Sequence, residues 1–536
     1  MHRERLPIRL GIATMGMAAL VAGCAGATSS QGESQRASSG TSVSPAASGS
    51  LVFPKDTYTT ETEKVTTSTG SVTVTYHLYS AIPYVAKPVD TRYESLNVEV
   101  PVAIDGQTID ASGAPIVLNI PVGGYLSSAV GGGSGGAPSG GVPGGAMPSG
   151  GFGGAPSGGV PGGNGGQSGF AGQGGSGDAD LALAAGYVVV TPGVRGRDNK
   201  ASDGTYYGKA PAAIVDLKAA VRYIHANKGV FPGNTDWIIS TGTSAGGALS
   251  AILGASGNSS LYDAALAKIG AANASDAIFA AAAYCPITDL DHADAIYEWT
   301  FGSSTLKNGG TVDQTISTAL AAEFAPYVAS LKLTAADGTA ITADTEANYL
   351  LTTFLEPAAK TYLASLSDTA RASYLASNAW ITWVNDKATF SWSDFLAHIG
   401  RSKTAPAFDA LDLSAAENIE FGSSTTNARH FTEFSLRKAT GNPNAKIDAD
   451  LPAVLDEMNP MYFIGQENAG LAKHWFLRVG TSDTDTSPVI VGDLAASLLN
   501  HGSDVDALMY WDAGHGVNQD PAAFIAWIAK ETGYTK

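Results

Sequence analysis

A strand that runs directly into a glycine-flanked serine constrains this chain more than any other stretch. The apolar run Trp237-Ile238-Ile239-Ser240 leads into Thr241-Gly242-Thr243-Ser244-Ala245-Gly246-Gly247, and Ala248-Leu249-Ser250-Ala251-Ile252-Leu253 then reads as a small-residue helix. Strand, Gly-x-Ser-x-Gly and helix together describe a serine held on a sharp strand-to-helix turn. Side chains two residues to either side would clash there, and Gly242 and Gly246 remove them. The helix N-terminus brings free backbone N–H groups to Ser244. Context carries the reading, because Gly132-Gly133-Ser134-Gly135-Gly136 satisfies the same pattern with no strand before it and no helix after it.

At 536 residues, 44% hydrophobic and 15% charged, the chain can bury a large core. A net charge of −18 excludes the basic surface that a nucleic-acid partner requires. The N-terminus reads as an export signal: Arg3, Arg5 and Arg9 precede an apolar segment from Leu10 to Ala22, too short for a comfortable membrane span. It ends in Leu20-Val21-Ala22-Gly23-Cys24, which resembles the lipobox of bacterial lipoproteins. The expectation is a signal peptide over 1–23, a lipid anchor on Cys24 that makes the membrane a partner, and an exported protein held at the cell envelope. Residues 24–50, rich in Ser, Gly, Ala and Thr, then form a tether. Lipidation of Cys24 leaves Cys285 alone, so no intramolecular disulfide is available; after the apolar run Ala277 to Ala282, Cys285 reads as a small core residue.

Beyond the tether, Ser71 to Tyr79 and Leu96 to Val102 alternate as antiparallel strands. Pro115-Ile116-Val117-Leu118-Asn119-Ile120 is continuously apolar, as for a strand covered on both faces. It ends in Val122-Gly123-Gly124-Tyr125, where a backbone N–H can approach a substrate with no Cβ in the way. Residues 130–178 are a low-complexity insertion, in which one eleven-residue Gly-rich phrase fills 135–145 and recurs at 153–163. Strands at Tyr187 to Val190, at Trp237 and at Ala277 to Ala283, with a helix from Pro211 to Asn227, imply a largely parallel sheet flanked by helices. Pro286-Ile287-Thr288-Asp289-Leu290-Asp291-His292-Ala293-Asp294, running on to Tyr297-Glu298-Trp299, matches no calcium-loop spacing and reads as a structural or pocket-wall element. From 299 to 459 the strand rhythm stops in a helical, aromatic-rich stretch that reads as an inserted lid. Residues 51–298 and 460–536 are then the two parts of the main domain, closed by strands at Trp475 to Gly480 and Asp506 to Trp511 and helices from Pro488 and Pro521.

A serine hydroxyl becomes a nucleophile only beside a base, and the base needs an acid to orient it. Of nine histidines, His515 alone lies in a glycine-flanked loop after the last strand, the place that the α/β-hydrolase order Ser, acid, His assigns to the base. Thr481-Ser482-Asp483-Thr484-Asp485-Thr486 follows the preceding strand. Asp483 is the first choice of acid, Asp485 the second and Asp289 the third. The N–H groups of Ala245 and of Gly123 or Gly124 form the oxyanion hole, and neither metal nor cofactor is required.

Val122-Gly123-Gly124-Tyr125, Gly242 to Gly247, the Pro286 to Asp294 stretch, Asp483-x-Asp485 and Gly514-His515 together resemble the bacterial tannases, α/β-hydrolase serine esterases that cleave galloyl esters. The resemblance implies that a lysine and a glutamate of the lid, with an aspartate near the catalytic acid, hold the three adjacent ring hydroxyls. The matching positions are Lys403, Glu417 and Asp485. Vicinal phenols donate to carboxylates and accept from an ammonium, so the chemistry fits. It implies a small phenolic ester as substrate and sets no oligomeric state. Two other readings stay open: a feruloyl or general carboxylesterase of the same fold, and a non-catalytic lipoprotein that binds polyphenols.

Overall fold

A computed structural model describes residues 49–130 and 175–536. Cys24, the signal peptide, nearly all of the tether and most of the Gly-rich insertion lie outside the described residues. The framework is a sheet of β1 (Thr59–Thr67), β2 (Gly70–Pro83), β3 (Ser95–Ile104), β4 (Gln107–Thr108), β5 (Ile116–Ile120), β6 (Val188–Pro192), β7 (Ile238–Thr243) and β8 (Ala280–Tyr284), completed late in the chain. A small hairpin of β9 (Thr382–Val384) and β10 (Lys387–Thr389) stands apart, and β11 (His474–Gly480) and β12 (Asp504–Tyr510) close the sheet. The spatial order is β1-β2-β3-β6-β5-β7-β8-β11-β12, with β4 on the edge of β3. Pairing is antiparallel from β1 through β3 to β6 and parallel from β6 to β12.

The central parallel strands β5, β6 and β8 lie in mainly apolar runs of the sequence, and every residue of β5 and β8 is buried. Helices cover both faces, so neither face needs polar side chains. The alanines of β8 have a packing purpose. The helix Ala245–Ala255 lies so close that a Cβ on Gly254 would stand 2.7 Å from Ala281 Cβ and 2.8 Å from the Trp475 ring. Among the described residues no helix is long and apolar enough to cross a membrane.

Two elements depart from the sequence expectations. β1, Thr-Thr-Glu-Thr-Glu-Lys-Val-Thr-Thr, is a polar edge strand whose pattern carries little hydrophobic signal; charges on an edge also discourage pairing with another chain. The hairpin β9–β10 interrupts a stretch read as wholly helical. Its turn is Asn385-Asp386, both at positive φ (51° and 56°), the conformation a tight two-residue hairpin needs.

The segment between β8 and β11 is braced within itself, and joined to the residues around β11 and β12, by polar contacts. Arg401 forms a bidentate pair with Glu298 at 2.7 and 2.9 Å, both side chains fully buried. Asp294 accepts the backbone N–H groups of Ala407, Phe408 and Asp409 at 2.6, 2.8 and 2.9 Å. Tyr349 donates to the Gly492 carbonyl at 3.1 Å, while Tyr374 and His398 bond the two oxygens of Asp512, just before the His515 loop. Removing one member of a buried ion pair strands the other charge. Glu298→Ala is therefore expected to lower the unfolding free energy by about 3–5 kcal/mol in urea titrations, and a loss below about 1 kcal/mol would contradict this role for the pair.

Candidate active site

Strand β7 ends at Ser244, whose backbone adopts φ 61°, ψ −120°. That is strained for a residue with a Cβ, and it turns the side chain out of the sheet. The turn is close enough that a Cβ on Gly242 would lie 2.4 Å from the Gly246 carbonyl oxygen. Ala245 takes the first helical position, where an N–H has no carbonyl one turn back to bond.

Three separated segments meet at this serine. His515 Nε2 lies 2.8 Å from Ser244 Oγ, and its Nδ1 lies 2.8 Å from Asp483 Oδ2. The loops bearing the histidine and the aspartate come together because β11 ends in Gly480, where a Cβ would stand 2.1 Å from the Ala513 carbonyl oxygen. Asp483 is 2% exposed, and its second oxygen accepts the Asp485 N–H at 3.0 Å. Of the carboxylates in contention for this position, Asp483 is the one that reaches His515. Asp289 is held elsewhere: it binds His292 Nδ1 (3.1 Å), Asn459 Nδ2 (2.8 Å) and the Tyr327 hydroxyl. It is thus a buried tie between the end of β8 and the helix Gln314–Leu331. In the acidic stretch after β8, His292 meets Asp289 and Asp291, and Asn459 donates to both carboxylates.

The loop after β5 lies against the serine. Gly246 N–H donates to the Val122 carbonyl at 2.9 Å, and Arg197 Nε donates to the Gly124 carbonyl at 2.6 Å. Tyr125, buried at φ 56°, donates its hydroxyl to Ile287 O at 2.8 Å, and Ile287 N–H returns to Ser244 O at 3.3 Å. Gly123 and Gly124 are therefore held beside the helix N-terminus that Ala245 opens, on a backbone tied at both ends.

The three residues matched to ring recognition approach from two directions. Lys403 is half-buried, its Nζ 4.0 Å from the Phe408 ring centroid, and its backbone N–H donates to Tyr297 Oη at 3.1 Å. The same Tyr297 hydroxyl donates to Thr484 O at 2.9 Å, which brings the half-buried Asp485 into the same neighbourhood. Glu417 sits buried on the short helix Ala416–Glu420. It lies near Tyr125, whose hydroxyl pKa is pushed upward by burial and then by the charges of Glu420 and Glu417. Among the described residues no ion pair or hydrogen bond joins Lys403, Glu417 and Asp485 to one another.

Three further residues escaped the sequence reading. Cys285 is indeed buried, but it also stands beside the catalytic-type pair: its sulfur, an Asp483 oxygen and a His515 nitrogen all lie within 4.8 Å of one another. Its place just past the end of β8 is the available signal, since sites of α/β sheets form at the carboxyl ends of the strands. In the sequence Tyr297 only continues the stretch that reads as a structural or pocket-wall element. Glu420 is fully buried with neither carboxylate oxygen hydrogen-bonded among the described residues, and burial lifts its pKa to about 8 against the pull of Arg197 and Lys209.

Solved structures similar to this chain include tannin acyl hydrolase from Lactobacillus plantarum, at 34% identity and a TM-score of 0.72, covering 90% of this chain and 98% of that one. The tannase of Fusobacterium nucleatum matches at 34% identity and a TM-score of 0.72, covering 90% of this chain and 99% of the other. A tannin acyl hydrolase in complex with ethyl gallate matches equally well, at 34% identity and a TM-score of 0.72 over 90% of this chain and 98% of that one. The BD-FAE family model matches residues 174–328, and no curated protein matches the chain. Fold, site and likenesses define the class: a carboxylic ester hydrolase on a mixed α/β fold with a mostly parallel central sheet. Within that class, the chain belongs to the tannase, or tannin acyl hydrolase, family.

The electrostatics of His515 are testable without any assay. Burial disfavours the imidazolium, while Asp483 and Cys285 favour it more strongly, so the His515 pKa is raised above its ordinary 6.5. In an NMR titration the imidazole is expected to stay protonated above pH 6.5. Cys285→Ala should move the midpoint to lower pH; an unmoved midpoint would remove the sulfur from this account.

Proposed function

We propose that this chain is a serine esterase that hydrolyses galloyl esters through an acyl-enzyme intermediate. The observation that carries the proposal is the unbroken chain Ser244 Oγ, His515 Nε2, His515 Nδ1, Asp483 Oδ2, with 2.8 Å at each link. Ser244 attacks the ester carbonyl as neutral His515 takes its proton, and Asp483 holds the imidazole in the required tautomer. The N–H of Ala245 and one from Gly123 or Gly124 receive the developing oxyanion, where preorganised donors lower the barrier most. His515 then passes its proton to the departing alcohol, and water enters by the reverse path to release the acid. The raised His515 pKa places the acid limb of kcat/KM above pH 6.5, because only the neutral imidazole accepts the serine proton.

Substrate choice follows from Lys403, Glu417 and Asp485. The ammonium accepts nothing and can only donate to a ring oxygen, while the carboxylates accept from ring hydroxyls. The bound ethyl gallate and 3,4-dihydroxybenzoate of similar tannin acyl hydrolases support a ring with adjacent hydroxyls as the group recognised. A site built to pair hydroxyls rejects rings that lack them, because its polar groups are then left unpaired. In this reading residues 299–459 act as a lid over the site, and the N-terminal signal with Cys24 tethers the exported enzyme to the membrane surface.

Hydrolysis of methyl gallate is the test. Ser244→Ala should reduce kcat by about 10⁴-fold or more, and an unchanged rate would exclude Ser244 as nucleophile. Lys403→Met should lower kcat/KM for methyl gallate by about 10- to 100-fold while sparing methyl benzoate, the value of a charge-assisted hydrogen bond. Equal turnover of methyl gallate and methyl benzoate by the unaltered protein would exclude galloyl specificity in favour of a general carboxylesterase.

A further inference from the structure

We propose that Tyr297 is a positioning residue for substrate specificity, setting the spacing between the Lys403 ammonium and the Asp485 carboxylate. This rests on the reading that those two side chains hold ring hydroxyls. Tyr297 lies on the helix Leu290–Phe301 and is fully buried, so it touches no substrate itself.

Its hydroxyl has one proton and two acceptor positions, and all three are spent on the two loops in question. It donates to Thr484 O at 2.9 Å, between Asp483 and Asp485, and accepts the N–H groups of Ser402 at 3.3 Å and Lys403 at 3.1 Å. A second clamp lies alongside, Ser402 Oγ to Thr484 Oγ1 at 2.5 Å. Two loops whose residues Ser402 and Thr484 are 82 positions apart in the chain thus meet on one phenol.

The same ring supports the lysine side chain. Tyr297 meets Phe408 edge to face with centroids 6.0 Å apart, and Phe408 carries the Lys403 Nζ at 4.0 Å. Behind it, the Arg401 guanidinium sits 5.3 Å from the Tyr297 ring centroid and donates from Nε to Lys403 O at 2.9 Å. The Lys403 peptide is therefore held on its N–H side by Tyr297 and on its carbonyl side by Arg401, whose charge Glu298 neutralises. Burial lifts the Tyr297 pKa to about 12, so the hydroxyl keeps its proton and remains a donor at any working pH.

A hub of this kind acts on recognition and leaves the Ser244–His515–Asp483 chain intact. Tyr297→Phe keeps the ring and the Phe408 contact and removes only the hydroxyl. The readout is the kcat/KM of methyl gallate divided by that of methyl benzoate, a ratio independent of how much of the preparation is folded. The ratio is expected to fall about 10-fold, mainly through a higher KM for methyl gallate. Ser402→Ala, which removes the parallel clamp alone, should lower it in the same direction and by less. An unchanged ratio in Tyr297→Phe, or equal losses on both esters, would overturn the inference. Lys403→Met separates the two readings: a fallen ratio there beside an unchanged one in Tyr297→Phe overturns the hub alone, whereas an unchanged ratio in Lys403→Met overturns the ring site and the hub together.

Discussion

The rest of the structure depends on the reversal at the end of β7. A serine at φ 61° is held between a strand and a helix that have room for each other only because Gly242 faces the Gly246 carbonyl with no Cβ. Strain of this kind persists only where the surroundings over-determine it. Here they do: Ser244 N–H bonds Tyr284 O at 2.9 Å, Gly246 N–H bonds Val122 O at 2.9 Å, and Ile287 N–H returns to Ser244 O at 3.3 Å. Strand β8 and the loop after β5 thus each contribute a carbonyl that locks the turn. The loop after β5 and the acidic stretch after β8 are placed as by-products of the same lock.

Around that point the protein uses buried polar groups where apolar packing would have been energetically simpler. A buried ion pair is weak evidence for stability, because desolvation consumes much of its attraction. Arg401 and Glu298 offer something that apolar contact does not, a fixed direction. Arg401 holds Lys403 O, Asp294 gathers three successive N–H groups at Ala407 to Asp409, and Tyr297 ties Ser402 and Lys403 to Thr484. Directional bonds specify where a loop lies to within a few tenths of an ångström, and the ring recognition proposed for this site would need that definition.

How much of this was legible in the sequence varies with the range of the interaction. The parallel core announced itself because strands covered on both faces are near-continuous apolar runs, as Ile116 to Leu118 and Val188 to Val190 are. Ser244 and His515 were readable because each sits in a local pattern whose backbone demands small neighbours. β1 was not, since a polar edge strand is recruited by the hydrogen-bonding edge of β2 and needs no hydrophobic period. Asp483, Asp485 and Asp289 could not be separated by position after a strand alone. The short contact to His515 decides for Asp483, while Tyr327 and Asn459 engage Asp289.

By itself the sequence determined the parallel core of the sheet, the strained serine turn and the glycine-flanked place of His515, because each follows from local period or steric demand, whereas the charges matched to ring recognition came from the resemblance alone. Only the tertiary structure decided which carboxylate faces His515, that Cys285 stands beside it, and that one buried phenol joins the loops of Lys403 and Asp485. Those facts depend on where distant segments are brought together, Tyr297 and Thr484 lying 187 residues apart in the chain, and such closeness is set by packing against a shared sheet. No local pattern records it.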